Sequence, residues 1–166
     1  LAPPLESAAR GAASPPLAGA YCIGNVLPHL APDDLAAFLP TLHDVLAPGA
    51  PFVVQTLNFD RLLPLDEPHR FPDIDAGGGL VFRREYVPGE RGSVRFVTEL
   101  REGEVLRFAG EERLWPQSSS DLIDRCRAGG FALREHRGDF AGAAFDPAAS
   151  AASVLAFETG NCPPRF

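Results

Sequence analysis

The chain has 166 residues, room for about one domain, and a domain of that size buries roughly 68–70% of its surface without disulfide or metal staples. Hydrophobic residues make up 45% and charged residues 22%, the balance of an ordinary globular chain. A formal net charge of -7 argues against a nucleic-acid partner held mainly through phosphates, and no apolar run approaches the ~18 residues of a membrane span.

All 15 Lys/Arg positions are Arg, and with 24 Ala and 17 Pro this reads as compositional bias rather than as a device. The cysteines are Cys22, Cys126 and Cys162. They form no CxxC pair and no Cys/His cluster at zinc spacing, so no metal site is expected. An odd, sparse set points to a reducing compartment, and no secretory leader is legible, which makes the cytoplasm the expected location.

Of residues 1–20, 13 are Ala, Pro or Gly, with Pro-Pro pairs at Pro3-Pro4 and Pro15-Pro16. The segment reads as a tail or linker ahead of a domain spanning 21–160, with 161–166 a second tail. Tyr21-Cys22-Ile23 closes a short buried strand, halted by Gly24-Asn25. Over residues 33–46, Leu35, Phe38, Leu39, Leu42, Val45 and Leu46 line one helix face, with Asp33 and Asp34 in the first turn and Pro48-Gly49 as the stop. Pro40 predicts a kink there or two short helices, because proline inside a helix removes a hydrogen bond at a cost of ~3 kcal/mol. Phe52–Leu57 is a strand without clean alternation, expected to be buried on both faces. Strand, helix and strand over 21–57 form a βαβ unit with parallel strands and a right-handed crossover.

Residues 80–115 change style. Leu80–Val87, Ser93–Leu100 and Glu104–Leu114 are strand-like runs separated by short glycine-containing turns, the pattern of an antiparallel meander. Arg95, Glu99, Arg101 and Arg107 interleave with Val94, Phe96, Val97 and Val105, giving one wet and one dry face. Ser118–Asp121 can cap a helix reaching Ala128, with Leu122, Ile123 and Cys126 as its apolar stripe and Gly129-Gly130 as its end. Phe131–His136 and Ser153–Glu158 are the last strands. The fold class is α/β, ordered βαβ, antiparallel insert, α, β, β.

Gly24-Asn25 lies just beyond the carboxyl end of a parallel strand, where ligands bind in open α/β sheets. Asn25 offers a donor and an acceptor, and His29 follows close enough to face the same cleft. A turn asparagine and a helix-flanking histidine are the alternative. Asn58 and Arg61 follow the next strand at the same sheet edge. Arg84 and Tyr86 offer an acceptor molecule a cation or a phenol, unless they are part of a self-paired, solvated strand face. Asp139 lies beyond Phe131–His136 and either borders a pocket or closes a turn. His69 and His136 have no partner at metal spacing and read as structural.

The run Tyr21-Cys22-Ile23-Gly24-Asn25-Val26-Leu27-Pro28-His29-Leu30 resembles the C-[IL]-G-N-x-x-x-H-L segment of class I S-adenosylmethionine-dependent methyltransferases, closest to the glycine and sarcosine N-methyltransferase-like group. Leu46–Ala50 is similar to the L-x-P-G-G turn before that fold's fifth strand, and Ala128–Phe131 to the A-G-F turn before its sixth. The resemblance implies a partial Rossmann-like sheet, the carboxyl-terminal half beginning at the fourth strand, with a substrate-capping insert. It implies S-adenosylmethionine as cofactor and a small-molecule methyl acceptor reacting at nitrogen or oxygen. Cys22, Ile23, Gly24, Asn25 and His29 would contact the cofactor. Asn25 and His29 would be catalytic, the first orienting the acceptor and the second acting as base. Asn58, Arg61, Arg84, Tyr86 and Asp139 would border the acceptor. The family's G-x-G-x-G loop and ribose-holding acidic residue have no counterpart in residues 1–20, which implies weak cofactor binding by this chain alone. It also leaves a second reading, a non-catalytic methyltransferase-like module that binds a partner. A half-sheet exposes an apolar edge, and a second copy of the chain is one way to cover it.

Overall fold

The computed structural model describes residues 15–160. In chain order the elements are β1 (Ala20–Cys22), α1 (Pro32–Val45), β2 (Pro51–Leu57), β3 (His69–Arg70), β4 (Ile74–Gly77), β5 (Leu80–Pro88), β6 (Val94–Glu102), β7 (Val105–Leu114), α2 (Ser119–Ala128), β8 (Phe131–Arg137) and β9 (Ala152–Thr159). They build two sheets. The first has the order β1-β2-β9-β8, with β1 parallel to β2 and the other pairs antiparallel. The second is the meander β5-β6-β7, extended by β3 and β4, which both pair with β5.

The parallel βαβ unit and the meander follow the sequence expectation, and β3 and β4 are additions to it. These two strands are only two and four residues long, too short to carry a periodic signal. Residues 1–14 and 161–166 lie outside the described residues, and with them most of the two expected tails. Leu17 bridges to Leu46, donating to the Val45 carbonyl at 2.9 Å and accepting from the Ala47 amide at 2.9 Å.

α1 continues through Pro40 as one helix rather than breaking into two. Pro40 sits on the exposed face, where the Ala36 carbonyl that loses its amide partner can turn to water. β2 also departs from expectation. Phe52, Val54 and Thr56 are buried, but Val53, Gln55 and Leu57 between them are only half-buried. The reason is that both α-helices pack on a single face. Leu35 and Leu39 of α1 and Leu122 and Cys126 of α2 join Phe52, Val54, Phe131, Leu155 and Phe157 in one core. Ser118 caps α2 by accepting the Asp121 amide at 3.1 Å.

A smaller core joins the two sheets: Phe59, Tyr86, Val94 and Leu114, with Leu57, Phe71 and Phe96 against them. The Trp115 amide donates to the Pro28 carbonyl at 2.6 Å, tying the end of β7 to the 3-10 turn Leu27–His29. The meander is therefore held over the carboxyl ends of β1 and β2. The outer edge of β1 leaves Leu17, Tyr21, Ile23 and Val26 exposed, Tyr21 by 77%.

Candidate functional site

At the end of β1 the chain turns on two consecutive residues with positive φ, Gly24 (83°) and Asn25 (61°). Glycine takes that conformation without steric cost, and asparagine is among the side-chain residues that tolerate it. A Cβ at Gly24 would meet nothing within 4 Å, so this backbone faces open space. The turn is pinned to β2: the Gly24 amide donates to Gln55 Oε1 at 2.7 Å and the Asn25 amide to the Gln55 carbonyl at 3.2 Å.

Asn25 Oδ1 then accepts from the Leu57 amide at 3.0 Å. That bond fixes the orientation of the side-chain amide, because only the oxygen can accept. Nδ2 consequently points away from β2 and donates to Tyr86 Oη at 3.2 Å. Tyr86 is 2% exposed, stacked on Phe59 at 6.2 Å and packed edge-on against Phe71 and Phe96. Burial raises the phenol above its ordinary range; the Asn25 hydrogen bond and the Arg84 charge oppose that only in part. Tyr86 therefore stays protonated at neutral pH. Its oxygen accepts from Asn25, and among the described residues no hydrogen-bond acceptor takes its proton.

These groups line a cleft of about 270 Å³ between the sheets, formed by Gly24, Asn25, His29, Leu57, Phe71, Arg84, Tyr86, Phe96 and Leu114. Sequence position alone placed Asn25 with His29 and Arg84 with Tyr86; the fold brings the two pairs together. His29 ends the 3-10 turn and is exposed at the cleft. Phe71, Phe96 and Leu114 were not among the expected site residues. Phe96 and Leu114 lie in the meander runs, but nothing local showed that this sheet closes a cleft, and Phe71 lies ahead of the meander in a stretch that carried no signal.

Other expected residues fall elsewhere. Asn58 is 2% exposed, and its Nδ2 donates to the carbonyls of Pro147 (3.0 Å), Ser150 (2.9 Å) and Asp146 (3.4 Å). It anchors the loop before β9 and does not line this cleft. Arg61 reaches over the same loop to Ala149 and Ser150 and borders a separate open depression with Asp60, Pro147 and Ala148. Asp139 closes a turn by accepting the Ala143 amide at 3.0 Å. Cys22 packs toward the helix-side core, where burial raises its thiol pKa, and neither Cys22 nor the 44% exposed Ile23 lines the cleft. His136 is structural, as expected: its Nε2 meets Ser153 Oγ at 2.8 Å and its ring stacks on Phe145 at 3.7 Å. His69 packs edge-on against Phe71 at 4.8 Å.

No protein-family model and no curated protein matches the chain. Solved structures do. The methyltransferase CcbJ from Streptomyces caelestis superposes with a TM-score of 0.73 at 20% identity, over 86% of this chain and 61% of its own. An S-adenosylmethionine-dependent methyltransferase from Clostridium acetobutylicum matches at 0.71 and 14% identity, over 90% and 61%. CalS10 from Micromonospora echinaspora, an amino pentose methyltransferase solved with S-adenosylmethionine, matches at 0.61 and 12% identity, over 90% and 61%. The architecture is thus the Rossmann-like fold of S-adenosylmethionine-dependent methyltransferases, and the chain spans about 61% of the length of these neighbours. Nothing in them singles out the glycine and sarcosine N-methyltransferase-like group.

The described residues fit part of a cofactor site. Gly24 presents bare backbone toward open space, and Asn25 and His29 stand beside it at the cleft. Among the described residues lining the cleft there is no carboxylate to hold a pair of ribose hydroxyls. The turn at Gly24 and Asn25 would supply one wall, and among the described residues lining the cleft the remaining contacts have no counterpart.

Proposed function

We propose that this chain carries the acceptor-side portion of an S-adenosylmethionine-dependent methyltransferase that acts on nitrogen or oxygen of a small molecule. One observation carries the reading. In a fold shared with such enzymes, the Asn25–Tyr86 hydrogen bond locks a protonated phenol into a cleft at the carboxyl edge of the parallel strands, beside His29. S-adenosylmethionine, when bound, supplies an activated methyl group. Gly24 and Asn25 form the wall against which it would lie. Tyr86 donates its free proton to the acceptor and fixes its orientation, which matters because transfer at carbon needs the reacting atoms in line. His29 takes the proton released by the acceptor nitrogen or oxygen. Leu57, Phe71, Phe96 and Leu114 limit access of water to the acceptor.

The test is a titration with S-adenosylhomocysteine followed by amide NMR, beside a transfer assay using labelled S-adenosylmethionine and a panel of small amines and alcohols. Shifts centred on Gly24, Asn25 and His29, together with label transfer that falls in Tyr86→Phe and His29→Ala, support the reading. Shifts confined to another surface would overturn it. A chain that binds no S-adenosylhomocysteine and transfers no label favours the non-catalytic module.

A further inference from the structure

β5 alternates its side chains, so Arg84 and Tyr86 share one face about 7 Å apart along the strand. Both line the cleft, and Arg84 also borders an adjoining groove with Arg70, Arg83, Glu85, Val97 and Glu99. Two of the nearby acidic groups, Asp73 and Glu99, are engaged elsewhere. Arg70 and Arg83 share Asp73, at 3.1 and 3.3 Å, and Arg101 takes Glu99 at 3.0 Å. Arg84 has no carboxylate within 4.0 Å among the described residues, although Glu85 and Glu99 border the same groove.

Arg84 is nonetheless held in place. Its guanidinium carbon lies 5.4 Å from the centre of the Phe71 ring, and Nη2 donates to the Pro72 carbonyl at 3.2 Å. Nε is buried without a partner among the described residues. A permanently charged group has thus been partly removed from water and given a stacking surface, with one backbone carbonyl and no counter-charge. Burial of a charge is costly unless an opposite charge meets it. A planar guanidinium already fixed by stacking loses little further freedom when it engages a carboxylate or phosphate.

We propose that Arg84 is an anion-binding residue of this cleft, and that the molecule bound there carries a carboxylate or phosphate group beside the nitrogen or oxygen presented to Tyr86. The inference rests on the methyltransferase reading for the identity of the second group, but the anion site itself does not depend on it. Arg84 sets which acceptors enter; Tyr86 and His29 act on the atom that is modified.

The experiment follows the arginine Nε–H NMR signals of the chain during titration with acetate, with inorganic phosphate and with chloride at matched ionic strength. A saturating shift of the Arg84 signal is expected with at least one of the two oxyanions, with Arg70 and Arg83 unmoved. A saturable response to acetate alone assigns a carboxylate, and one to phosphate alone a phosphate. Arg84→Gln is expected to weaken that binding by roughly tenfold or more, whereas Arg127→Gln, at an exposed arginine on α2 paired with Asp124, preserves it. A response no larger than that to chloride, or equal shifts at Arg70 and Arg83, would overturn the proposal. So would displacement of the oxyanion by S-adenosylhomocysteine but not by its decarboxylated analogue, which would assign the site to the cofactor. If Arg84→Gln does not fold, the saturable signal in the unsubstituted chain decides the question. Oxyanion binding without methyl transfer to any acceptor refutes the methyltransferase reading and leaves the anion site standing.

Discussion

Replacing Asn25 removes three contributions at once. Asn25→Ala leaves the Leu57 amide without its acceptor at 3.0 Å, a part-buried donor whose loss costs about 1–3 kcal/mol. It also deletes the bond to Tyr86 at 3.2 Å, worth about 0.5–1.5 kcal/mol. Finally it places alanine at φ 61°, a conformation that costs most side-chain residues roughly 1–2 kcal/mol. The terms share one site and do not add fully, so a total loss of about 2–4 kcal/mol is expected. Urea denaturation followed by circular dichroism and Trp115 fluorescence measures it. Asn25→Gly restores the backbone freedom but neither hydrogen bond, and should recover about 1 kcal/mol of the loss. Asn25→Asp keeps both the acceptor for Leu57 and the tolerance for positive φ, so its stability should remain within about 1 kcal/mol of the parent. Its carboxylate accepts the Tyr86 proton, so that proton is no longer offered to the cleft, and acceptor binding should fall although the fold is intact. A loss below about 0.5 kcal/mol in Asn25→Ala would show that the two hydrogen bonds do not hold the turn.

Asn58→Ala should free the Asp146–Ser150 loop from its three carbonyl contacts. Faster hydrogen exchange at Ala149 and Ser150 and a stability loss of about 1–3 kcal/mol are expected, with oxyanion binding at Arg84 unchanged. Pro40→Ala restores an amide to an exposed stretch of α1 and should raise the thermal midpoint; an unchanged or lower midpoint would mean that the ring is better accommodated than its helical position implies. Burial holds His136 below its ordinary value of 6.5, and the Asp60 charge offsets only part of that. The unfolded chain therefore binds more protons than the native one over the interval below 6.5, so stability is full above that pH and declines as pH falls through the lower native value. His136→Gln should flatten this decline in pH-dependent urea midpoints. Cys126 is fully buried and its thiol is pushed up to about 12, so a thiol reagent should leave it unmodified until the chain unfolds.

Several elements were legible because their determinants lie within a few residues of one another. The Ser118 cap, the glycine stop at Gly129-Gly130 and the turn at Gly24-Asn25 are such cases. Of the two outcomes expected at Pro40, a kink or two short helices, the split does not occur, because the penalty depends on which way the freed carbonyl points, and that is set by the side of α1 that packs. β2 was misjudged for a related reason: an unbroken apolar run does not reveal whether one face or both will be covered.

Of the site, the types of side chain were visible in the sequence and their company was not. Asn58 has the composition of a ligand-binding residue, and only its long-range partners show that it anchors a loop; Asp139 closes a turn with Ala143, the alternative its sequence position already offered. Asn25 and Tyr86 were each singled out, but their hydrogen bond spans 61 positions and exists because the meander packs back over β2. The chain by itself determined its elements apart from β3 and β4, their order and the parallel βαβ unit, since backbone preference and apolar spacing act over short distances. Tertiary structure alone decided that Asn25, His29, Arg84 and Tyr86 face one cleft and that Arg84 has no acidic partner among the described residues. Those facts depend on how one sheet docks against another, and docking is fixed by the whole buried surface rather than by any local run of residues.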